Sequence, residues 1–413
     1  MFSNINRPKQ LAEMSAKEFD LLIIGGGITG VGIALDAISR GLTVALLEKQ
    51  DFGSGTSSRS TKLIHGGLRY LKQFDFGLVR EVGRERAIVH RNAPHLVWPE
   101  KMVLPIIRGG SLGKITTSFA LKLYEWLAEV PKRDQRKMYS AEETLAEEPL
   151  LEANGLIGSA IYTEYRTDDA RLVIEVAKTA STKGAILLNY ARVDHFILDD
   201  NNRISGVKYS DLGTDKIHEV KAKYVVNAGG PWVDELRSKV GGLDGKRLHL
   251  TKGIHIVFDR ERLPLKHSAY FDVGDGRMVF AVARGGSTYV GTTDTNYKGE
   301  IERPRVLRRE VDYLLNAANK QFNIQKLTIE DVQSSWAGLR PLIHEDGKAP
   351  SELSRKDEIF VSESGLISIA GGKLTGYRMM AKRTVDLVCS KFAEPRINNF
   401  KSPTETLNLS GSN

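Results

Sequence analysis

Three glycines near the N-terminus have a spacing that suits the binding of a pyrophosphate. Gly25, Gly27 and Gly30 follow a short apolar run of strand length in the pattern G-x-G-x-x-G. The first permits a tight turn, the second lets the backbone approach a phosphate, and the third allows close packing of helix and strand. The N–H groups of Ile28 and Thr29, at the start of the next helix, would face the anion. The segment therefore predicts a site for a dinucleotide that contains ADP.

A carboxylate follows at the position that suits contact with a ribose. Glu48 comes directly after the second apolar strand, residues 43–47, and lies 18 residues beyond Gly30. It is placed to accept hydrogen bonds from ribose hydroxyls, and it would repel the 2′-phosphate of NADP. Lys49 is assigned to the same site. These residues alone do not distinguish FAD from NAD.

The loop at residues 51–71 combines small hydroxyl residues, glycines and cations. A solvated loop rich in Ser and Thr is one explanation, but Gly66 and Gly67 favour close approach of the backbone to a ligand. Arg59, Lys62 and Arg69 add positive charge. The cofactor contacts predicted from this loop are Thr56, Ser57, Ser58, Thr61, Lys62, Leu63, His65, Gly66 and Gly67.

Two further glycine turns follow apolar strands later in the chain, at residues 228–232 (AGGPW) and 371–375 (GGKLT). The earlier one would bring backbone to the same nucleotide from another side, which favours a long extended cofactor over NAD held at a single motif. The later one suits a flavin, because helix N–H groups and Lys373 could stabilise the negative charge of a reduced ring. The alternative for Gly371 and Gly372 is a capping or packing pair.

The composition is that of an ordinary folded protein with a basic surface. The chain has 413 residues, of which 41% are hydrophobic and 27% charged, and its formal net charge is +8. Its one cysteine, Cys389, excludes an internal disulfide and a cysteine-based zinc site, and we expect no metal site. We find no secretory signal and no transmembrane segment. An anionic substrate or an anionic lipid surface would explain the charge better than nucleic acid, because no nucleic-acid-binding motif accompanies it.

The order of the elements predicts an α/β protein with a discontinuous, Rossmann-like FAD-binding domain. An antiparallel β-sheet, the substrate or cap domain, is inserted into it and covers the cofactor. The expected boundaries are 1–17 for a loosely held N-terminal arm, 18–93, 166–246 and 331–395 for the FAD-binding domain, and 94–165 and 247–330 for the cap domain. Residues 334–341 are expected to resume the first domain.

A helix predicted over residues 116–130 carries an aromatic stripe of Phe119, Tyr124 and Trp126, and the basic segment 131–137 follows it. We expect the stripe to pack against a sheet. Contact with a membrane surface is the alternative.

Through its glycine turns and the loop at residues 51–71, the chain resembles the FAD-dependent glycerol-3-phosphate dehydrogenases of the glycine-oxidase-like flavoprotein superfamily. The resemblance spans residues 20–390, and the run KLIHGGLRYL at 62–71 is specific to this family rather than to flavoproteins at large. Further matches are DDARL at 168–172, NAGGPW at 227–232, GTTD at 291–294, GLRPL at 338–342 and GGKLT at 371–375. Family members usually continue into a further helical domain, of which residues 396–413 would be only the beginning.

The resemblance implies oxidation of sn-glycerol 3-phosphate to dihydroxyacetone phosphate, with hydride transfer to N5 of FAD and electrons passed to a quinone. This chemistry needs a base for the hydroxyl proton and fixed cations for the phosphate. His255 is our preferred base, with Arg340 stabilising the alkoxide and His65 as the competing candidate. The predicted substrate-binding residues are Arg69, Tyr70, Arg340, Arg355 and Lys373. Further predicted cofactor contacts are Val193, Ala228, Gly229, Trp232, Gly338, Gly372, Lys373, Leu374 and Thr375.

Other functions stay open at this point. A glycerol-3-phosphate oxidase would give its electrons to O2, an amino-acid or amine oxidase would share the fold, and a flavin-binding module would show no turnover. The expected partners are glycerol 3-phosphate, a quinone, an anionic membrane surface and a second copy of the chain, with no nucleic acid. We expect a cytoplasmic protein that attaches peripherally to the inner face of the cytoplasmic membrane.

Overall fold

The structure is a computed structural model, and it describes residues 2–65, 76–110, 113–127, 130–241, 243, 246–344, 356–393 and 401–412. The helices in these ranges are α1 (Arg7–Ala16), α2 (Ile28–Ser39), α3 (Phe76–Asn92), α4 (Lys114–Leu127), α5 (Ala141–Glu147), α6 (Asp169–Thr182), α7 (Val233–Ser238), α8 (Arg308–Gln321) and α9 (Tyr377–Ser390). The strands are β1 (Glu18–Ile24), β2 (Val44–Leu47), β3 (Leu63–Ile64), β4 (Val97–Ile107), β5 (Lys137–Tyr139), β6 (Leu156–Thr167), β7 (Ile186–Leu188), β8 (Ala191–Leu198), β9 (Ile204–Asp211), β10 (Lys216–Asn227), β11 (Leu248–Asp259), β12 (Ser268–Asp272), β13 (Met278–Arg284), β14 (Ser287–Gly291), β15 (Thr295–Asn296), β16 (Val332–Ile343), β17 (Asp357–Val361) and β18 (Ile367–Gly371).

The first sheet has the order β17-β18-β10-β1-β2-β7, and β9 and β8 extend it from β10. Its centre is parallel, because β1 pairs in parallel with both β10 and β2. Helices α2, α6 and α9 pack together over it. Leu21 and Ile23 of β1 face these helices, and Leu22 and Ile24 face a second core on the opposite side. The central strands are therefore buried on both faces, which explains why β2 is a run of four buried apolar residues.

The second sheet has the order β15-β11-β14-β13-β12-β4-β6-β3, with β16 paired to β11 and β5 paired to β6. Its pairs are antiparallel except for β12 with β4. The hairpin predicted at Gly285 and Gly286 joins β13 and β14. One face of this sheet packs on α8 around Phe258 and Leu314, which leaves the other face available to cover the first domain.

The N-terminal segment is not the loose arm that the sequence suggested. Residues 7–16 form α1, which packs against β7 and β10. Met14 is fully buried in the core beneath the first sheet. Arg7 also pairs with the buried carboxylate of Asp211 at 2.6 Å. One apolar side chain and one ion pair therefore fix a segment whose composition is mostly polar.

Residues 334–341 do not resume the first domain as expected. They lie in β16, which pairs with β11 from Leu248↔Ile343 to Phe258↔Val332 and so belongs to the second sheet. The chain returns to the first sheet at β17, and β3 likewise pairs with β6 in the second sheet. The partner of a strand is set by contacts distant in sequence, which a reading of local pattern does not contain.

The aromatic stripe on α4 divides between two faces of the helix. Tyr124 is buried, as expected from packing, but Phe119 and Trp126 are 69% and 75% exposed. Positions 119 and 126 lie nearly two full turns apart on one side, whereas Tyr124 points to the opposite side. The expectation that the whole stripe packs against a sheet is therefore wrong for Phe119 and Trp126.

The segment 401–412 packs on the first domain. Leu409 is buried in the core of α2, α6 and α9. Thr404 and Ser402 hydrogen-bond to the buried carboxylate of Asp36 on α2. The backbone N–H of Leu409 also donates to the carbonyl of Asn92 at 2.9 Å.

Candidate active site

The first glycine turn joins β1 to α2 and is shaped by close backbone contacts. Gly25 has φ +112°, and a Cβ at this position would lie 2.5 Å from the carbonyl oxygen of Ala228. A Cβ on Gly30 would lie only 1.8 Å from the carbonyl oxygen of Gly25. Both positions therefore require glycine, as the motif predicts, and α2 begins at Ile28 with its first N–H groups directed toward the turn.

Glu48 follows β2 and lies beside this turn. Its carboxylate accepts hydrogen bonds from the backbone N–H groups of Gly26, at 2.6 Å, and Gln50, at 2.7 Å. Burial raises the pKa of Glu48 above its ordinary value, although these two bonds act in the opposite direction. A carboxylate held in this way keeps further lone pairs for ribose hydroxyl groups.

The other two glycine turns follow strands of the first sheet and lie at the same edge of it as the first turn. β10 leads into residues 228–230, and its neighbour β18 leads into Gly371 and Gly372, which have φ +78° and +74°. A Cβ on Gly371 would lie 2.5 Å from the carbonyl oxygen of Lys356. Because the carboxyl ends of parallel strands meet at one edge, all three turns open toward the same space.

That space is a single cavity of about 1350 Å³ between the two sheets. The assigned cofactor residues that line it are Gly25, Gly27, Ile28, Thr29, Glu48, Lys49, Thr56, Ser57, Thr61, Leu63, His65, Val193, Ala228, Gly229, Trp232, Gly338, Gly372, Lys373, Leu374 and Thr375. His255 and Arg340 line it from the second sheet. The backbone shape, the glycine cradle and the carboxylate at one end fit an extended dinucleotide.

Some assigned residues do not line the cavity. Gly30 packs beneath it, and Ser58 is not among the lining residues. Lys62 pairs with Asp169 at 2.7 Å and donates to the carbonyl of Ser58 at 3.1 Å. Gly66, Gly67, Arg69, Tyr70 and Arg355 lie outside the described residues.

His255 lies on β11, near one end of the second sheet and between β14 and β16. Its ring stacks on Trp336 with 4.6 Å between centroids and 11° between planes. Nε2 lies 3.1 Å from Oγ1 of Thr61, whereas Nδ1 has no hydrogen-bond partner among the described residues. Burial, with the nearby charges of Arg340 and Lys62, lowers the pKa of His255 well below its ordinary value. The imidazole is thus held neutral, the form that can accept a proton.

Arg340 reaches the cavity from β16 and is fixed by three neighbours from one turn. It pairs with Asp294 at 3.2 Å, donates to the carbonyl of Thr293 at 3.1 Å and donates to Oγ1 of Thr292 at 2.9 Å. The sequence did not assign roles to these three residues, although the motif GTTD at 291–294 contains them. They also line the cavity.

A second group of lining residues is apolar and lies toward α4. We call it the apolar chamber, and it consists of Leu104, Ala120, Leu121, Tyr162, Tyr270, Met278 and Phe280. Tyr270 and Phe280 stack there with centroids 4.2 Å apart. The sequence did not reveal this group, because its members come from α4 and from four strands that are distant along the chain.

The described residues contain neither a candidate metal site nor a candidate membrane span. No group of three or more His, Cys, Asp or Glu side chains there could hold a metal ion. None of the described helices combines the length and the apolar character needed to cross a membrane.

Comparison with known proteins adds four findings. The family described as FAD dependent oxidoreductase matches residues 20–378. The chain is 55% identical over 408 residues to the aerobic glycerol-3-phosphate dehydrogenase of Bacillus subtilis (strain 168), which covers 99% of this chain and 73% of the relative. It is 54% identical over 393 residues to the enzyme of the same name in Staphylococcus aureus (strain COL), and the match covers 95% of this chain and 70% of the relative. The structure of the glycerol-3-phosphate dehydrogenase from Bacillus halodurans complexed with FAD superposes with a TM-score of 0.83 at 49% identity, covering 100% of this chain and 71% of that chain.

Proposed function

The chain belongs to the family of FAD dependent oxidoreductases, and from this membership we propose that it is a glycerol-3-phosphate dehydrogenase that passes electrons to a quinone. It binds FAD and oxidises sn-glycerol 3-phosphate to dihydroxyacetone phosphate. The observation that carries the proposal is the meeting of three glycine turns, His255 and Arg340 at one cavity, in a chain that is 55% identical to a relative of that name.

The size of the cavity supports a site for more than one molecule. Small-molecule pockets usually measure about 300–1,000 Å³, and this cavity measures about 1350 Å³. The glycine turns and Glu48 occupy the side formed by the first sheet, whereas His255 and Arg340 face it from the second sheet. An extended cofactor along the first sheet would leave room for a small phosphorylated alcohol between it and the second sheet.

His255 is our proposed base for the hydroxyl proton of the alcohol. FAD, when bound, supplies the acceptor for the hydride that leaves the carbinol carbon. Removal of the proton by a neutral imidazole favours departure of that hydride, because charge then builds on the oxygen. The stacking of His255 on Trp336 and its contact with Thr61 fix the ring at the cavity wall. His65, which also lines the cavity, is the competing base.

Cations at the cavity are proposed to bind the phosphate and stabilise the alkoxide. Arg340 is held in place by Asp294 and Thr292, so its guanidinium would need little reorganisation. Lys373 precedes the short helical turn Leu374–Gly376 and lines the same cavity. A phosphate carries about −1.5 to −2 charges near neutral pH, which suits two or more fixed cations. Arg69, Tyr70 and Arg355 stay as predictions.

The apolar chamber supports a quinone as the electron acceptor. It belongs to the same cavity as the cofactor residues, and its wall offers stacked aromatic rings at Tyr270 and Phe280. A flat, apolar quinone ring would bury its surface there, which is favourable at roughly 25 cal/mol per Å². Molecular oxygen needs no such chamber.

The outer face of α4 supports attachment to an anionic membrane surface. Ile115, Phe119 and Trp126 are 86%, 69% and 75% exposed on one side of the helix, and Lys122 lies on the same side. Apolar and cationic side chains on one exposed face suit the interface of an anionic bilayer. A cytoplasmic enzyme held in this way would receive its quinone from the membrane. A homodimer is a separate prediction that sedimentation analysis would test.

The experiment that tests the proposal follows the visible absorption of the FAD-loaded protein without oxygen. We expect glycerol 3-phosphate to bleach the flavin band and glycine or sarcosine to leave it unchanged. Bleaching by the amino acids alone, or by none of the three compounds, would contradict the proposed substrate.

The acceptor is tested on the reduced protein that this experiment produces. A water-soluble quinone should restore the flavin band much faster than air-saturated buffer does. A yield of peroxide equal to the substrate consumed, in air and without quinone, would assign the electrons to O2 instead.

A further inference from the structure

A loop from the second domain reaches across to the first domain beside the cofactor site. Residues 297–307 connect β15 to α8, and we call them the latch loop. Its start is tied to β11, because the N–H of Tyr297 donates to the carbonyl of Leu250 at 2.9 Å. Its end is tied to the same strand by Lys252, which donates to the carbonyl of Arg305 at 2.7 Å. The loop is therefore anchored on both sides in the second sheet.

The middle of the latch loop contacts the first domain through Glu302. One carboxylate oxygen of Glu302 accepts from Nζ of Lys49 at 2.8 Å and from Nε1 of Trp232 at 2.7 Å. The ammonium of Lys49 also lies 4.0 Å from the centroid of the Trp232 ring. Partial burial acts to raise the pKa of Glu302, but its bonds to Lys49 and Trp232 hold that pKa below its ordinary value. The three side chains form one cluster that links the two domains through an ion pair, a hydrogen bond and a cation–π contact.

The two residues that Glu302 contacts are cavity residues, whereas Glu302 itself is not. Lys49 directly follows Glu48, the carboxylate that suits the ribose, and Trp232 follows the glycine turn at 228–230. Both therefore mark the end of the cavity that would hold the adenosine half of the cofactor. A loop tied to both residues would restrain their movement against the bound cofactor.

We propose that Glu302 is a positioning residue that ties the latch loop to Lys49 and Trp232 at the adenosine end of the site, holds these two residues in place and so slows the release of FAD. The inference rests on the proposed function only in that FAD is the cofactor. It assigns Glu302 no part in the oxidation of the substrate. Lys49 and Trp232 are its two points of attachment.

The test measures the rate at which FAD leaves the protein. The FAD-loaded Glu302→Gln variant is diluted, and the flavin in the filtrate is followed by fluorescence. Loss of a half-exposed ion pair and of the fixed cation over Trp232 should speed release about 3- to 20-fold. Added salt should speed release in the parent protein and have less effect in the variant, because the pair that salt screens is already lost.

Glu300→Gln is the matched control, since Glu300 is exposed on the same loop and its removal changes the net charge equally. It should release FAD at the parent rate. Lys49→Met should reproduce the effect of Glu302→Gln, and the double variant should add little to either, because the two residues act as a pair. Lys49→Arg should restore most of the slow release.

Parent-like release in both Glu302→Gln and Lys49→Met would overturn the inference. Equal acceleration by Glu300→Gln would also overturn it, because the effect would then be one of net charge alone. Failure of glycerol 3-phosphate to bleach the parent protein would instead contradict the proposed function, and the release rates would still decide the role of Glu302.

Discussion

His255 shows how a buried polar residue can be adapted to accept a proton. Its imidazole is 2% exposed and is surrounded by Trp336, Tyr289 and Thr61. Protonation would place a charge in a buried site near Arg340, so the neutral form is favoured. The same surroundings that hold the ring in place thus keep it in the form that a base requires.

Replacement of His255 by Asn should lower kcat about 10²- to 10⁴-fold, the usual effect of removing a general base. Binding of FAD should be unchanged, because the expected loss concerns proton transfer. Steady-state rates with a soluble quinone and the flavin absorption of the purified variant measure the two effects. His195→Asn, on the exposed side of β8, is the control and should retain the parent rate. A parent-like kcat in His255→Asn would move the role of base to His65.

The pH dependence of the parent enzyme belongs to the same test. The pKa of His255 is lowered from the ordinary histidine value of 6.5. The base should therefore stay unprotonated down to pH 6.5, and kcat should decline only below that pH. The measurement uses saturating substrate, because the phosphate of the substrate titrates at about pH 6 and its titration would affect KM. An acid limb of kcat at or above pH 6.5 would contradict the lowered pKa.

At the residue scale, the sequence predicted the features that depend on neighbours along the chain. The roles of Gly25 and Gly30 follow from a local strand-turn-helix pattern, and the structure places them as the motif requires. The fixing of Arg340 by Asp294 could not be predicted in this way. The two lie 46 residues apart and meet because β16 and the strands on either side of Asp294, β14 and β15, all pair with β11.

At the scale of elements, two glycines make room for the side chains of neighbouring strands. A Cβ on Gly253 of β11 would lie 2.3 Å from a terminal nitrogen of Arg340 and 2.3 Å from Oγ1 of Thr292. A Cβ on Gly291 of β14 would lie 2.1 Å from the ring of His255. The positions of the base and of the guanidinium therefore depend on the absence of side chains on adjacent strands.

Gly253→Ala should displace the guanidinium of Arg340, which is the far end of a long side chain, at a modest cost in stability because Oγ1 of Thr292 must shift as well. Loss of one charge-assisted hydrogen bond to the substrate corresponds to about 1.5–3 kcal/mol, or roughly 10- to 150-fold in kcat/KM. Steady-state kinetics and the thermal unfolding midpoint measure the two quantities.

Gly286→Ala is the control for this prediction, because Gly286 lies in the β13–β14 turn and a Cβ there would meet nothing within 4 Å. Its kcat/KM should match that of the parent. If Gly253→Ala also keeps the parent kcat/KM, then Arg340 does not contact the substrate in the position described here.

The assignment of strands to sheets was the least predictable feature at this scale. The apolar alternation of residues 334–341 is compatible with either sheet, and only the register with β11 places them in the second one. The local hairpin at Gly285 and Gly286, by contrast, was predicted because both of its strands lie beside the turn.

At the scale of the whole molecule, α4 connects the redox cavity to the protein surface. Its inner side contributes Ala120 and Leu121 to the apolar chamber, and its outer side exposes Phe119 and Trp126. Exposed Lys132 follows this helix, and the chain carries a net charge of +8. A lipid surface against this face would therefore lie one helix away from the chamber proposed to hold a quinone.

The double substitution Phe119→Ser and Trp126→Ser should weaken binding to anionic vesicles about tenfold or more, since each ring would bury apolar area among the lipid head groups. Cosedimentation with vesicles of phosphatidylglycerol and phosphatidylcholine measures the partition, and pure phosphatidylcholine should bind the parent protein more weakly. Ile217→Ser is the matched control, because Ile217 is 71% exposed on β10 of the other sheet. Both proteins should still bleach with glycerol 3-phosphate, because the substituted side chains lie outside the cavity. Parent-like partition of the double variant, or an equal loss in Ile217→Ser, would show that this face of α4 does not bind the membrane.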